Sequence, residues 1–347
     1  MSTNLACVLH GKNDLRMEKR EIPIPKTGQL LLQVSIVGIC GTDISFWTRG
    51  EIGPFKPLKP MIMGHECSGI VASLGAEVKG FTVGDRVAVE PGVPCRKCQL
   101  CKRGRYNLCH DMEFFALPPT DGAMRQFVTV DADYCFKIPD DMSMEEATFL
   151  EPLSVGLHAC RKAKIGIGNK VLVLGAGPVG LITMMIAKAT NATMALITDI
   201  RDHRLKIAKE VGADETLNVS NLSAEDAVKI IVEKLGEAPD VVIECCGVQS
   251  SIELAIKAVK DGGKVILVAL GAEYVNIPIL EVVGKEITLH GVIKYSNTWP
   301  AAMEMIRSGK IKLNKLTLAH YKLDQAVEAF KYAQKGEVMK VFVDCGS

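Results

Sequence analysis

The sequence predicts a chain of two parts, a β-rich part followed by an α/β part that is built on a doubly wound parallel sheet. Between Val8 and about Ile138, short β-rich runs are broken by glycine and proline, which is typical of a β barrel or sandwich. After Met142, apolar runs alternate with helical segments, which is typical of a parallel sheet with crossovers on both of its faces. The stretch VLVLGAGPVG at 171–180 reads as a buried strand that enters a glycine-rich turn.

The individual elements follow this division along the chain. The runs of the β-rich part are LLLQVSIVGIC, GIVASLG, GDRVAVEPG and FVTVDADYCFKI. A helix is predicted from Ser143 to about Ala163, because Ser143 and Glu146 have the spacing of an N-terminal capping box. The tail is predicted to hold two short helices, around MEMIRSGKI and LDQAVEAFKYAQ, and a closing strand, KVFVDC. Six strands are predicted for the parallel sheet, with helices between the first five: Val171 to Leu174, Met194 to Thr198, Thr216 to Val219, Val241 to Glu244, Lys264 to Leu270 and Ile287 to Val292.

The glycine-rich turn has the spacing of a phosphate-binding turn. Gly175, Gly177 and Gly180 form G-x-G-x-x-G, with Pro178 and Val179 at the start of the helix that follows. The first glycine permits a tight turn, the second lets the backbone approach a pyrophosphate, and the third lets helix pack on strand. A tight strand-to-helix turn that binds no ligand can have the same spacing, so the residues around the turn must distinguish the two interpretations.

A carboxylate at the end of the next strand indicates a dinucleotide. Asp199 follows the run that begins at Met194, about twenty residues past the glycines, where it would accept hydrogen bonds from ribose hydroxyls. A carboxylate there repels a 2′-phosphate, so we expect NAD rather than NADP, although Arg201 or Arg204 could turn toward a phosphate. The further candidate cofactor contacts are Arg204, Val268, Leu270, Val292 and Lys294.

Composition excludes several classes of protein. The chain has 347 residues with 41 Lys and Arg against 40 Asp and Glu, so no basic excess indicates nucleic acid or an anionic membrane. The longest uncharged stretch, 171–187, is interrupted by Gly-Ala-Gly-Pro, which favours a buried core over a membrane span, and we see no secretory leader at the N-terminus. Its 12 cysteines are not those of a short disulfide scaffold and favour a reduced, intracellular, metal-binding use.

Four of these cysteines have the spacing of a structural zinc site. Cys95, Cys98, Cys101 and Cys109 form C-x2-C-x2-C-x7-C in a segment rich in Gly, Arg and Lys. Four thiolates close a tetrahedron around zinc and leave no position for substrate. An iron–sulfur cluster would need as many thiolates, but the flanking pattern of the common ferredoxin runs is missing.

A second metal site requires about three protein ligands and an open position. The candidates are Cys40 in VGICGTD and the pair His65 and Glu66 in MGHECSG, each in a glycine-bounded turn at the end of an apolar run. Spacing alone leaves the choice open, because a single cysteine and a single histidine are as often ordinary core residues.

Together these motifs resemble the zinc-containing medium-chain alcohol dehydrogenases. The resemblance is carried by CGTD at 40–43, GHE at 64–66, the four-cysteine segment, EPLSVG at 151–156 and GAGPVG. Within that superfamily, EPLSVGLHACRKA, FFALPPTDG and YSNTWP resemble the sorbitol (polyol) dehydrogenase family, over nearly the whole chain. The resemblance implies a GroES-like β-barrel catalytic domain at 1–153, a Rossmann NAD-binding domain at 154–292 and a return to the catalytic domain at 293–347, with the active cleft between the two domains.

The resemblance also implies roles for the second set of candidate ligands. In the family, the residues that match Cys40, His65 and Glu66 hold a catalytic zinc, with water as a further ligand. The residue that matches Glu151 touches that water or the metal itself, and the sequence leaves open which of the two applies. With the four-cysteine site, we expect two zinc ions per chain, one catalytic and one structural.

The chemistry that the resemblance implies is oxidation of a polyol at C2 to a ketose, with hydride transfer to NAD. Thr42 matches a hydroxyl that relays the released proton, and Asp43 matches a carboxylate that orients the zinc-bound histidine. Lys294 and Tyr295 match substrate contacts, with lysine where the family commonly has arginine. Phe46 stands where many members carry tyrosine, so it is either a substrate contact or an apolar wall of the cleft.

Two other readings stay open at this point. A relative that acts on another secondary alcohol, such as arabinitol, threonine or a butanediol, would keep the same zinc and NAD residues. A non-catalytic protein that has kept the fold, as the crystallin-type members of the superfamily have, would bind NADH without turnover. The family further implies a cytoplasmic homotetramer whose partner is a small polyol or ketose.

Overall fold

The computed structural model describes residues 3–316 and 318–346, and these fold into two compact units. The first unit runs to Glu151 and includes Trp299–Arg307 and the C-terminal segment, and the second comprises Pro152–Thr298 and Ser308–Leu316. We expected a single return to the first domain at residue 293. The second unit instead includes residues 308–316 as well, where the Lys315 ammonium donates to the Glu210 carbonyl at 3.1 Å.

The first unit is built mainly of short antiparallel strands, as its broken apolar runs predict. In the part that runs to Glu151, its helices are α1 (Gly41–Arg49), α2 (Gln99–Lys102) and the first residues of α3 (Met144–Ala163). Its first ten strands are β1 (Thr3–Gly11), β2 (Asp14–Glu21), β3 (Gln29–Gly38), β4 (Met61–Ile62), β5 (Glu66–Leu74), β6 (Arg86–Val89), β7 (Gly92–Val93), β8 (Glu113–Phe114), β9 (Phe127–Asp131) and β10 (Cys135–Lys137).

The second unit contains the predicted doubly wound sheet. Its strands are β11 (Lys170–Leu174), β12 (Met194–Asp199), β13 (Glu215–Asn218), β14 (Val241–Glu244), β15 (Lys264–Leu267) and β16 (Thr288–Gly291). The helices between them are α4 (Pro178–Ala189), α5 (Asp202–Glu210), α6 (Ala224–Leu235), α7 (Gln249–Ala258) and α8 (Ile279–Gly284).

All neighbouring pairs in this sheet are parallel, in the order β13-β12-β11-β14-β15-β16. This order confirms the predicted Rossmann sheet of six strands, and the direction of winding changes between β11 and β14. Its core includes Leu172, Leu196, Val242 and Val265 from four of the strands. Ligands of such sheets bind at the carboxyl ends of the strands beside this change of direction, which is where the glycine-rich turn lies.

The C-terminal segment returns to the first unit with α9 (Trp299–Arg307), β17 (Leu318–Lys322), α10 (Ala326–Lys335) and β18 (Lys340–Asp344). Strand β18 pairs antiparallel with β3 and parallel with β17, so it lies inside the main sheet of this unit, whose order is β10-β6-β5-β3-β18-β17, with β9 also on β3. A smaller sheet has the order β2-β1-β4. Single 3-10 turns occur at Tyr106–Leu108, Ala132–Tyr134, Leu313–Lys315 and Leu323–Gln325.

Most predicted boundaries agree with the structure within a few residues. The capping box at α3 forms as predicted, since Glu146 N–H donates to the Ser143 hydroxyl at 3.0 Å and Ser143 N–H donates to the Glu146 carboxylate at 2.9 Å. The prediction of a strand to Leu270 was wrong, because β15 ends at Leu267. There the amides of Val268 and Ala269 both donate to the Glu244 carbonyl, which takes the chain out of the ladder. Among the described residues, no helix is long and apolar enough to cross a membrane.

Candidate active site and nucleotide-binding turn

Cys40 lies at the junction of β3 and α1, where the sheet delivers it to the start of a helix. It has extended backbone angles and is the residue that precedes the first turn of α1. Its N–H donates to the Asp43 carboxylate at 2.9 Å, which satisfies one of the amides at this end of the helix. Asp43 is buried, with a side-chain exposure of 1%. This hydrogen bond fixes the backbone that carries the Cys40 thiol.

The same carboxylate also holds the segment that carries His65. Asp43 Oδ1 accepts from Gly64 N–H at 3.3 Å and lies 3.5 Å from His65 Nδ1. The other ring nitrogen, Nε2, lies 3.5 Å from the Thr42 hydroxyl oxygen. Burial lowers the pKa of His65, but the Asp43 carboxylate and the Cys40 thiol outweigh burial and raise that pKa well above its ordinary value. Negative groups therefore surround the imidazole, and they would also stabilise a cation bound at this position.

Glu66 begins β5 and meets a lysine that the sequence analysis did not single out. Lys340 Nζ lies 2.6 and 2.8 Å from the two carboxylate oxygens of Glu66. The two side chains are only 3% and 1% exposed. Burial lowers the pKa of Lys340, but Glu66 and Cys40 outweigh it and raise that pKa, so the ammonium stays charged. A single charge in the otherwise apolar run VMKVFV was the signal that could have identified it.

Cys40, His65 and Glu66 form a group that can hold a metal ion. One ligand atom from each lies within 4.8 Å of the other two. Donors at about 2.0–2.3 Å from a tetrahedral zinc ion lie about 3.3–3.8 Å from one another, so small adjustments of the side chains complete the geometry. Sulfur, imidazole nitrogen and carboxylate oxygen are all donors that zinc prefers. Three protein ligands leave one position open for substrate.

Two other predicted residues lie in the first unit but outside this group. Glu151 is buried, with 5% exposure, and is close enough to raise the pKa of Cys67 and Glu90 by charge repulsion. It does not belong to the set of mutually close ligand atoms, so direct ligation by Glu151 stays a prediction. Phe46 is 2% exposed and belongs to the apolar core of its unit.

The four cysteines predicted to form a structural site do lie together. The sulfur of Cys98 lies 3.4 Å from that of Cys101 and 3.9 Å from that of Cys109, and the sulfurs of Cys95 and Cys101 are 4.0 Å apart. Four thiolates around zinc are separated by about 3.8 Å, whereas a disulfide requires about 2.05 Å. Backbone amides at positions 97 and 98 lower the pKa of Cys95 to about 7, which favours the thiolate. The arrangement fits a closed tetrahedral zinc site.

The glycine-rich turn of the second unit has the geometry that its spacing predicts. Gly175 has a φ of 97°, which favours glycine, and its N–H donates to the Thr198 carbonyl at 2.9 Å. A Cβ at Gly180 would overlap the Gly175 carbonyl oxygen. A Cβ at Gly177 would instead meet only the Arg204 guanidinium, at 3.8 Å. Because Pro178 begins α4, Gly177 lies at the N-terminus of this helix, with space around its Cα. Helix N-termini bind phosphate because their backbone amides and the helix dipole favour negative charge.

Asp199 ends β12 beside this turn, and its carboxylate organises the backbone around it. It accepts from the buried Ala176 N–H at 2.8 Å and from the amides of Ile200 and Arg201 at 2.8 and 3.0 Å. The Arg204 guanidinium lies 3.7 Å from the same carboxylate. Burial lowers the pKa of Arg204 and Asp199 opposes that effect. A carboxylate and a guanidinium therefore lie side by side at the end of β12, the strand end at which dinucleotide-binding folds hold the ribose.

The sequence analysis missed the residue that shapes the neighbouring strand end. Glu244 ends β14, is 1% exposed, and accepts from Cys246 N–H, Gly247 N–H and the Ser251 hydroxyl at 2.6–2.9 Å. A buried charge at the end of the apolar run VVIE was the available signal.

The remaining predicted contacts of the second unit follow the last two strands of the sheet. Val268 and Leu270 follow β15, while Val292, Lys294 and Tyr295 follow β16. Burial lowers the pKa of Lys294, and Tyr295 is 2% exposed.

Comparison with known proteins agrees with this geometry. Residues 26–140 match the alcohol dehydrogenase GroES-like domain family, and residues 178–308 match the zinc-binding dehydrogenase family. Sorbitol dehydrogenase of Bos taurus is 44% identical over 342 residues, which are 99% of this chain and 96% of that protein.

Two solved structures share the fold over nearly the whole chain. An oxidoreductase of unknown specificity from Escherichia coli has a TM-score of 0.92 at 32% identity, with 99% of each chain covered. The 2R,3R-butanediol dehydrogenase of Bacillus subtilis has a TM-score of 0.90 at 32% identity, with 98% of this chain and 99% of that chain covered.

Proposed function

The chain belongs to the zinc-containing sorbitol dehydrogenase family of the medium-chain dehydrogenases, and we propose that it oxidises a polyol of the sorbitol or xylitol type at C2 to the ketose. It is an oxidoreductase that uses zinc and NAD. The observation that carries the proposal is the group formed by Cys40, His65 and Glu66, in a chain 44% identical to a sorbitol dehydrogenase. In the reaction, the carbinol carbon loses a hydride to the nicotinamide, and its hydroxyl loses a proton.

Cys40, His65 and Glu66 would hold the catalytic zinc. When bound, the ion makes an alcohol hydroxyl easier to deprotonate, which favours the loss of hydride from its carbon. Asp43 accepts hydrogen bonds from the backbone amides of Cys40 and Gly64, and its carboxylate lies 3.5 Å from the His65 ring. Its role would be to fix the distance between the segments that carry Cys40 and His65 and to orient the imidazole. The Thr42 hydroxyl lies 3.5 Å from the imidazole and would relay the released proton: it would accept a hydrogen from the substrate hydroxyl while passing its own hydrogen onward toward solvent.

Substrate recognition is proposed for Glu151, Lys294, Tyr295 and Phe46. Glu151, as a buried carboxylate of the first unit, would orient water or a substrate hydroxyl. Lys294 and Tyr295 would contact neighbouring hydroxyls of the polyol. Because lysine lacks the planar fork of arginine, Lys294 offers a point charge to these hydroxyls. Phe46 contributes an apolar ring, and its 2% exposure supports a role in the wall of the site over a polar contact.

The nucleotide would bind along the carboxyl ends of β11, β12, β15 and β16. Gly175, Gly177, Pro178, Val179 and Gly180 would place the pyrophosphate on the N-terminus of α4. Asp199 would accept the ribose hydroxyls, and its negative charge favours NAD over a cofactor with a 2′-phosphate. The further contacts are Arg204, Val268, Leu270, Val292 and Lys294.

We further infer a cytoplasmic homotetramer. Strand β16 is an edge of its sheet, and the nearby helix α8 exposes Leu280 and Val283 to 83% and 69%. Unpaired strand edges and exposed apolar side chains are typical of subunit contacts. Twelve free cysteines suit a reducing compartment. Light scattering should give a mass of four chains, and a monomeric mass would contradict the inference.

A panel of substrates with zinc analysis tests the proposal. We expect about two zinc ions per chain, turnover of sorbitol or xylitol with NAD, and slower turnover of threonine, arabinitol and 2R,3R-butanediol. Cys40→Ser should keep the fold and the structural zinc but lose turnover. Cys160→Ser is the matched control, because Cys160 is a buried thiol of the second unit that donates only to the Thr183 carbonyl.

Three outcomes would refute the proposal. An active Cys40→Ser protein with a single zinc would remove the mechanism. Threonine or butanediol as the best substrate would replace the polyol. Binding of NADH without turnover of any alcohol would favour the non-catalytic reading.

A further inference from the structure

Lys340 joins the two segments that carry the proposed ligands of the catalytic metal. In the antiparallel pair of β18 with β3, Phe342 lies opposite Gly38 and Val341 accepts from Ile39 N–H, so Lys340 lies level with Cys40. Its ammonium contacts both oxygens of Glu66 and lies 3.4 Å from the Ile39 carbonyl. It is the charged partner of one ligand and a neighbour of the other.

Gly38 provides the space in which this ion pair forms. Gly38 lies opposite Glu66 in the pair of β3 with β5, and a Cβ on it would overlap the Glu66 carboxylate. The Lys340 ammonium therefore holds the Glu66 carboxylate on one side. On the other side, Gly38 leaves the space that the carboxylate occupies. A buried ion pair contributes little to stability, because desolvation offsets its attraction. We therefore interpret the pair as fixing the position of the Glu66 carboxylate.

The charges give this restraint a chemical consequence. Zinc carries two positive charges, and the Cys40 thiolate and the Glu66 carboxylate together carry two negative charges, which cancel them. Lys340 returns one positive charge. A carboxylate has about four lone-pair sites, so Glu66 can accept from Lys340 and still offer one oxygen to a metal. Without the ammonium, both oxygens would be available to the metal, and the position needed for the alcohol would be filled.

We propose that Lys340 is a positioning residue that restricts Glu66 to a single metal-ligating oxygen and keeps the centre electron-poor and open to substrate. The inference rests on the ligands named in the proposed function. It assigns to β18 a part in the chemistry of a site whose ligands all lie more than 270 residues earlier in the chain.

Lys340→Met and Gly38→Ala test this in the full-length holoenzyme. The first removes the charge, and the second displaces the carboxylate while both charges remain. Lys331→Met, an exposed lysine on α10, is the matched control. Three properties are measured: kcat per bound zinc, the rate of zinc release to a colorimetric chelator, and the visible spectrum after cobalt replaces zinc.

We expect kcat per zinc to fall at least about tenfold in both variants, with the KM for NAD unchanged. Zinc release in Lys340→Met should be no faster than in the wild type, because Glu66 gains a second contact to the metal. The cobalt absorption of this site should weaken as the coordination number rises. Lys340→Arg, which keeps the charge, should retain more activity than Lys340→Met.

Faster zinc release in Lys340→Met with unchanged kcat per zinc would show a merely structural role and overturn the proposal. An unchanged kcat and cobalt spectrum in folded Lys340→Met or Gly38→Ala would also overturn it. If Lys340→Met does not fold, Gly38→Ala and Lys340→Arg decide. A wild type with a single zinc and no polyol turnover would refute the proposed function instead, so the two failures are distinct.

Discussion

Replacing Asp199 with alanine should change both the stability of the nucleotide unit and its choice of cofactor. The carboxylate accepts three backbone hydrogen bonds. Ile200 is 63% exposed, so the amides of Ile200 and Arg201 can turn to water. Ala176 is fully buried, and its N–H would lose its acceptor. An unsatisfied buried donor costs about 1–3 kcal/mol, and a unit of this size loses about 2–4 °C per kcal/mol, so its thermal midpoint should fall by roughly 2–12 °C.

The cofactor effect is larger and has a definite direction. A hydrogen bond to a charged acceptor contributes about 1.5–3 kcal/mol, so losing the contacts to the ribose should raise the KM for NAD about 100-fold. The repulsion of a 2′-phosphate disappears in the same variant, whereas the positive charge of Arg204, whose guanidinium lies 3.7 Å from the Asp199 carboxylate in the wild type, remains. The ratio of kcat/KM for NAD to that for NADP should therefore fall by at least about 100-fold.

Initial rates with NAD and NADP at saturating polyol, taken well below the melting transition, measure this change. Asp202→Ala is the matched control, because Asp202 is an exposed acid at the start of α5 whose carboxylate accepts from the Asn218 side-chain amide at 2.6 Å. If Asp199→Ala keeps the KM for NAD within about threefold and keeps its discrimination, the carboxylate does not bind the ribose.

Three further predictions concern the turn, the zinc lobe and a buried acid. Gly180→Ala should unfold the turn because its Cβ overlaps the Gly175 carbonyl, whereas Gly177→Ala should melt like the wild type but bind NADH at least about tenfold more weakly in a fluorescence titration. Cys101→Ser should lose one zinc in metal analysis and lower the thermal midpoint by several degrees, since metal binding contributes directly to folding. Glu90 is buried, which raises its pKa from 4.5 to about 7 against the hydrogen bond from Tyr106. The folded state then keeps a proton that the unfolded state releases, so stability should fall by about 3 kcal/mol as pH rises from 4.5 to 7, and Glu90→Gln should remove this fall in denaturant titrations.

Each of these has an outcome that would contradict it. Equal melting of Gly180→Ala and the wild type would show that the turn has room for a side chain. Two zinc ions retained in Cys101→Ser would show that three thiolates suffice in the lobe. A parallel pH dependence of stability in Glu90→Gln and the wild type would assign the titration to another group.

Features encoded by local spacing could be predicted from the sequence. The glycine turn, the capping box of α3 and the four-cysteine lobe each lie within a short stretch of chain, so residue spacing fixes their geometry. The strand order was also predictable, because alternating strands and helices restrict the topology to a few parallel arrangements. The end of β15 was not predictable from local spacing. The amides of Val268 and Ala269 leave the strand pairing there and donate to the Glu244 carbonyl, which lies on another strand.

The sequence by itself determined the Rossmann sheet, the structural zinc lobe and which residue types are available for a catalytic metal. Only the tertiary structure decided that Asp43 holds the segments of both Cys40 and His65, and that Lys340 meets Glu66. The physical reason is that these contacts depend on the register of β18 against β3 and of β3 against β5. Register arises from packing the whole sheet, and a buried charge is tolerated only where that packing supplies its partner.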